Sequence, residues 1–344
     1  MTKGNNQKWT LKSIAAELGV SNATVSNAFN RPDQLSRQKR QEILDACKKL
    51  GYYGPNKAAQ SLRKGSFNIV AMVLPDSVEY MVSDPVASSF MRGVASVLEA
   101  QNINLLLFSG TADDVTNIID FVDGLICYGR PRNPQLIESL SNINKHVVTV
   151  DFELPERASV NIDNQQAAFE VASHALHSDS DVAIFGLRLL DTDLLCRVYE
   201  QNHSDYHTSI AQQRLTGYLN AMAKKGLTLG SDRIWNIPES SEKYAAIAAK
   251  ELLSLSPRPN TVLCMSDLIA LSLLREAQKQ SISVPEQLRI VGFDGVDEAF
   301  RYQPSLTTIH QNSEEKGRQA AQLFLDRSNN KVTLAYTLTL GQSG

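Results

Sequence analysis

The chain has 344 residues, of which 42% are hydrophobic, and a formal net charge of -3. It is too long for one small domain and apolar enough to bury sizeable cores, so two or three folding units are expected. There is no run of about 18 apolar residues and the N-terminal stretch is polar, which predicts a cytoplasmic protein with no membrane partner. The four cysteines, Cys47, Cys127, Cys196 and Cys264, are too widely spaced for a CxxC metal or redox motif and are expected to be reduced thiols.

In chain order, Leu11, Ile14, Ala15 and Leu18 recur at helical spacing and predict a short helix after Thr10. Gly19 breaks that helix, and Ser21 is placed to cap a second one running from about Asn22 to Phe29. In this second helix Val25, Ala28 and Phe29 can face the first, which leaves Asn22, Ala23, Ser26 and Asn27 outward. These small and amide side chains suit base edges. Ser36 caps a third helix carrying Ile43, Cys47 and Leu50, and Gly51 stops it. Periodicity of this kind occurs in any small helical domain, but charge narrows the reading. Residues 1 to 65 hold twelve Lys and Arg against four Asp and Glu, whereas the remainder holds twenty-two against thirty-three. A polyanionic partner for the first segment accounts for that asymmetry.

Beyond residue 66 the pattern turns to alternating strands and helices. Short β-rich runs lie at Asn68 to Leu74, Asn104 to Phe108, Gly124 to Cys127 and Val147 to Val150, then at Val182 to Phe185, Val262 to Met265 and Ile290 to Gly292. Parallel sheets wound with helices on both faces are expected, in two comparable stretches on either side of about Asp163. Val332 to Leu340 reads as a further strand. Polar residues follow several strands: Asp76 and Ser77, Asp151, Ser266 and Asp267, and Asp294. Such residues can accept hydrogen bonds from a small polar ligand, and they can equally cap the helices that follow.

Thr10-Leu11, the run Gly-Val-Ser-Asn-Ala-Thr-Val-Ser-Asn-Ala-Phe-Asn at 19 to 30, Leu-Gly-Tyr at 50 to 52 and Pro-Asn-Lys-Ala-Ala-Gln-Ser-Leu at 55 to 62 together resemble the headpiece of the LacI/GalR family of bacterial transcription regulators. The likeness continues through the chain. It implies an α/β protein with a helix-turn-helix headpiece at 1-54, a hinge at 55-66 and a two-lobed periplasmic-binding-protein-like effector domain of doubly wound parallel sheets at 67-344. Lobe 1 would take about 67-162 and 310-325, and lobe 2 about 163-309 and 326-344, with crossings near Asp163, His310 and Asp326. The partners implied are a palindromic operator DNA, a second copy of the chain, and a small effector of sugar or nucleoside and purine class lying between the lobes.

By this resemblance the second helix enters the major groove, where Asn22, Ala23 and Asn27 discriminate bases while Thr10, Ser21, Thr24 and Ser26 position the backbone through phosphates. Asn56, Lys57, Ala59, Gln60, Leu62 and Arg63 fall on the hinge helix, with Leu62 the wedge that kinks a central base step. Arg214 matches the effector-binding arginine and Gln311 lies near the pocket, adding to Asp76, Ser77, Asp151, Ser266, Asp267 and Asp294.

Three departures from the family pattern stand out. Asn27 replaces a common arginine, and Ser266 replaces a frequent asparagine. Residues 188 to 213 are longer than the usual connection and carry Cys196, His203 and His207; a polar surface insertion is expected there, with no metal. Neither cofactor nor catalysis is expected, since the chain has no G-x-G, G-K-[ST], G-x-S-x-G or H-E-x-x-H. A secreted solute-binding protein would have no use for a basic headpiece. The remaining alternative is a ligand-independent DNA-binding regulator with a vestigial cleft.

Overall fold

Side-chain caps define where the first helices start. In this computed structural model, which describes residues 9–54, 65–199 and 209–344, the Thr10 hydroxyl accepts the Ser13 N–H at 3.1 Å. The Ser13 hydroxyl accepts the Thr10 N–H at 2.8 Å in return, which opens α1 (Leu11–Glu17). Gly19 supplies the left-handed turn at φ +63°. Ser21 then accepts the Thr24 N–H at 3.0 Å to start α2 (Asn22–Asn30), and Ser36 accepts the Lys39 N–H at 3.2 Å to start α3 (Arg37–Lys49). Ile14, Val25, Ala28, Ile43 and Cys47 bury one small core between these helices. Arg40 Nε donates to the Ala28 carbonyl at 2.9 Å and ties α3 to the end of α2.

The chain divides into two units, Met1–Phe67 and Asn68–Gly344. In the second, and among the described residues, a six-stranded sheet contains β1 (Ile69–Val73), β2 (Asn104–Phe108), β3 (Gly124–Tyr128), β4 (His146–Val150), β5 (Ala158–Ile162) and β12 (Lys331–Leu334). Their order is β12-β5-β4-β3-β1-β2, all parallel. A five-stranded sheet is formed by β6 (Val182–Leu187), β7 (Cys196–Arg197), β8 (Ile234–Ile237), β9 (Thr261–Cys264) and β10 (Arg289–Val291), in the order β10-β9-β6-β8-β7. Only β7 in this second sheet runs antiparallel to its neighbour. Continuous apolar strands such as Ile-Val-Ala-Met-Val in β1 suit sheets covered on both faces.

The chain passes from the first lobe to the second after β5. It returns after β11 (Thr308–His310) through helix Ser313–Leu325, and crosses again between β12 and β13 (Thr337–Thr339). This last crossing corrects one expectation. Val332 to Leu340 is two strands in different lobes, so the crossing follows Leu334 and does not fall near Asp326. β12 extends the open edge of the first sheet, pairing Val332 with Val160, before β13 pairs antiparallel with β11. Sequence reading also missed β5, β7, β8 and β11, whose few apolar residues are interrupted by polar ones, such as Ser159 and Asn161 in β5 and Asn236 in β8.

Helix Ser313–Leu325 packs directly on helix Pro85–Ala100. A Cβ at Gly93 would overlap the Glu314 carbonyl, and one at Gly317 would overlap the Phe90 carbonyl, so the two backbones meet where only glycine fits. This approach seats the returning helix against the first lobe and fixes Lys316 within it. Replacing Gly93 with Val should therefore destabilise the fold by about 1–3 kcal/mol, as overpacking does. Chemical denaturation monitored by circular dichroism checks this, and an unchanged midpoint would mean that the helices can part without cost.

Candidate functional site

Ligands of open α/β sheets bind beyond the strand C-termini, where the strand order reverses. In the first sheet that point lies between β1 and β3, and in the second between β6 and β9. The two reversals face one cavity of about 250 Å³, lined by Asp76 after β1, Tyr128 at the end of β3, Arg188 after β6 and Met265 after β9.

Its floor is a continuous chain of polar side chains crossing both lobes. Arg214, on helix Ile210–Lys224, donates through Nε to Asn164 Oδ1 at 3.1 Å and through Nη1 to the Met265 carbonyl at 2.6 Å; Nη1 also lies 3.5 Å from Asp294 Oδ1. The guanidinium stacks 3.6 Å from the centre of the Phe293 ring. Gln311 Nε2 donates to the same Asp294 oxygen at 2.8 Å. The Lys316 ammonium donates to Gln311 Oε1 at 2.6 Å and to Asp151 Oδ1 at 2.7 Å. Asp151 belongs to the first lobe and Arg214 to the second, and buried neighbours join them.

The backbone aims these carboxylates. Asp151 has φ +61° and Asp294 φ +125°, conformations that cost an L-residue energy and persist where surrounding contacts over-determine them. Burial holds the Asp294 carboxyl well above the usual carboxylate range, against the pull of Arg214. Burial also lowers the Lys316 ammonium, although Asp151 opposes the shift. Nearer the mouth, Arg188 Nη1 donates to Asp76 Oδ2 at 2.7 Å, and the Tyr80 hydroxyl accepts the Ser240 N–H at 2.9 Å, two further links between the lobes.

Of the residues expected at an effector site, Asp76, Asp151, Arg214, Asp294 and Gln311 line the cavity together, whereas Ser77, Ser266 and Asp267 do not. The Ser77 hydroxyl caps helix Val78–Ser83 by accepting the Tyr80 N–H. Ser266 is fully buried against the Ser240 hydroxyl. Asp267 is also fully buried; it accepts the Gly295 and Val296 N–H groups at 2.7 and 2.9 Å and the Thr308 hydroxyl at 2.5 Å. Burial raises its carboxyl to about 6 against these hydrogen bonds. Asp267 thus braces the loop that carries Asp294.

Tyr80, Tyr128, Arg130, Arg132 and Arg188 line the cavity without having been expected there. The three arginines follow strand ends, as the carboxylates do, so the same positional signal could have found them. No sequence signal announces Lys316, because it arrives with the returning helix.

On the headpiece, Asn22 and Ala23 are exposed at the start of α2, while Ser26 and Asn27 are half-buried. The exposed Thr10 and Ser21 hydroxyls cap their helices, and the Thr24 hydroxyl bonds that of Ser21. Asn56, Lys57, Ala59, Gln60, Leu62 and Arg63 lie outside the described residues, as do His203 and His207. Among the described residues there is no cluster of three or more His, Cys, Asp or Glu able to hold a metal, and no helix is long and apolar enough to cross a membrane.

A helix-turn-helix unit followed by a two-lobed parallel α/β unit, with polar side chains on the floor of the inter-lobe cavity, is the architecture of a DNA-binding regulator joined to a periplasmic-binding-protein-like domain. Residues 10–56 match the family of bacterial regulatory proteins of lacI type, and residues 193–342 match a periplasmic binding protein-like domain. An HTH-type transcriptional regulator of Mycolicibacterium smegmatis is 33% identical over 92% of this chain and 89% of its own. The HTH-type transcriptional repressor CytR of Escherichia coli is 29% identical over 92% of this chain and 89% of its own. The crystal structure of a LacI-family transcriptional regulator from Corynebacterium glutamicum superposes with a TM-score of 0.71 at 25% identity, covering 98% of this chain and 99% of that one. The chain belongs to the LacI family and is a DNA-binding transcriptional regulator.

Replacing Asp267 with Ala leaves two buried N–H groups without an acceptor, at about 1–3 kcal/mol each. Unfolding in urea should show a loss of at least that size; a variant as stable as the parent would remove the bracing role.

Proposed function

We propose that the protein is a cytoplasmic repressor that binds a palindromic operator as a homodimer and is controlled by a small polyhydroxylated effector, of sugar or nucleoside class, held in the inter-lobe cavity. One headpiece spans too few base pairs to select a site in a genome, which supports a two-fold dimer. The exposed Asn22 and Ala23, with Asn27 beside them, are read as the base-contacting set: an amide pairs bidentately with adenine and a methyl touches thymine. Thr10, Ser21, Thr24 and Ser26 are read as phosphate contacts. Asn56, Lys57, Ala59, Gln60, Leu62 and Arg63 are read as the hinge that meets its copy in the minor groove, with Leu62 as the wedge.

The observation that carries the effector reading is the polar chain from Asp151 to Arg214. Its members belong to both lobes and present acceptors and a planar donor fork to the same small cavity. A ligand exchanging hydrogen bonds with Asp151 on one side and Asp294 and Arg214 on the other has a different affinity for each lobe arrangement. That difference is what control requires. Ser77, Ser266 and Asp267 take a supporting part in this reading and do not touch the ligand.

Thermal-shift measurements against sugars, nucleosides and free bases test it. An effector raises the melting temperature by mass action and changes operator affinity in fluorescence anisotropy. Arg214→Ala should keep operator affinity within about threefold of the parent yet lose the response to that effector, a loss of order 10² in ligand affinity for a paired buried charge. A panel that produces no shift would favour the ligand-independent alternative, and an unchanged response in the variant would remove Arg214 from the site.

A further inference from the structure

We infer that the effector carries an anionic group, phosphate or carboxylate, seated at the arginine-rich mouth of the cavity, where Asp193 now takes its place on Arg132. The inference rests on the effector reading above and concerns the end of the cavity opposite the neutral floor.

On the floor, charges are matched within the protein: Asp151 pairs with Lys316 and Asp294 with Arg214. Asp84, another lining carboxylate, is occupied in accepting the Val86 and Ala87 N–H groups at 2.9 Å each. The mouth is not balanced in this way. Arg130, Arg132 and Arg188 all line it, and Asp76 is the lining carboxylate that Arg132 and Arg188 share. Arg188 Nη1 holds Asp76 Oδ2 at 2.7 Å, and Arg132 Nη1 stands 3.9 Å from that same oxygen, too far for a hydrogen bond. The other Asp76 oxygen accepts the Ser77 N–H at 2.7 Å. Arg130 is exposed and has no ion pair among the described residues.

Arg132 completes its pairing outside the cavity lining. Its Nη2 lies 2.8 Å from Asp193 Oδ1 and 3.8 Å from Asp191 Oδ1, both on the connection between β6 and β7. The Asp193 and Asp191 side chains are 77% and 60% exposed, against 29% for Arg132. Pairs with so exposed a partner contribute little, because water and salt compete for the carboxylate. A ligand anion in the cavity can reach the Arg132 guanidinium, which lines it, and take two of its N–H groups in a fork. Asp193 is thus a weak internal competitor that keeps Arg132 placed until a stronger anion displaces it. Hydroxyl groups of the same ligand would face the floor, where the donors and acceptors are already neutralised in pairs.

The test compares neutral and anionic partners on the full chain by thermal shift and anisotropy: glucose, glucose 6-phosphate and glucuronate; ribose and ribose 5-phosphate; nucleosides and their monophosphates; and inorganic phosphate alone. An anionic member should bind at least about tenfold more tightly than its neutral counterpart. Phosphorylated and carboxylated arms distinguish the two sources of charge. Asp193→Asn should tighten the anionic ligand severalfold while leaving its neutral counterpart unaffected, and Arg132→Gln should erase the difference between them. Inorganic phosphate should protect only at much higher concentration. If a neutral compound binds as well as its anionic partner, the inference fails and the effector reading stands; if Asp193→Asn weakens or does not alter the anionic ligand, the competitor role fails. If no compound binds, the effector reading itself falls.

Discussion

The second unit depends on one physical constraint: two ion pairs largely removed from water, Asp151 with Lys316 and Asp294 with Arg214, meet inside a cleft made from two lobes. Burying each ion costs several kcal/mol unless it is paired and hydrogen-bonded, so such an arrangement is weak evidence for stability and better evidence for specificity. Here the pairing runs through Gln311, whose amide donates to Asp294 while its carbonyl accepts from Lys316. Each lobe pairs its own charges, Asp151 with Lys316 and Asp294 with Arg214, and Gln311 is the side chain that joins the two pairs. The relative position of the lobes is therefore written into the hydrogen bonds of the floor, which makes a ligand that competes for them able to alter that position.

Topology explains how residues so distant in sequence converge. Each sheet reverses its strand order at an interior strand, and the chain crosses between lobes three times, which brings both reversals to one cavity. The crossing after β11 is the decisive one. Its residues pass from Asp294-paired strand to Gln311 to the helix bearing Lys316, so a single short segment carries two members of the chain. Close backbone packing at Gly93 and Gly317 holds that helix in place, and Asp267 holds the opposing loop. These supports lie outside the cavity and act on its geometry through the residues that line it.

Much of this was legible in the sequence because it follows from local chemistry. Thr10, Gly19, Ser21 and Ser36 mark helix ends through their own hydrogen bonds or backbone freedom, and β1 to β4 announce themselves by apolar runs. Asp76, Asp151 and Asp294 could be placed because they follow such runs. Long-range pairing was not legible. β12 and β13 read as one strand, since nothing local says that Val332 pairs with Val160 while Leu338 pairs with Ile309. Asp267 was expected in the cavity and Lys316 was not, for the same reason. Asp267 follows a strand but is sealed beneath the loop of Asp294, whereas Lys316, on an ordinary amphipathic helix, reaches the floor.

The most direct test of the central claim is a double-mutant cycle between Asp151→Ala and Arg214→Ala, read in the free energy of unfolding. The two residues share no hydrogen bond and belong to different lobes. If the floor is one connected chain, their effects should deviate from additivity by about 0.5–3 kcal/mol. Additivity within about 0.3 kcal/mol, the behaviour of independent sites, would show that Gln311 does not couple the two ion pairs and would contradict the account.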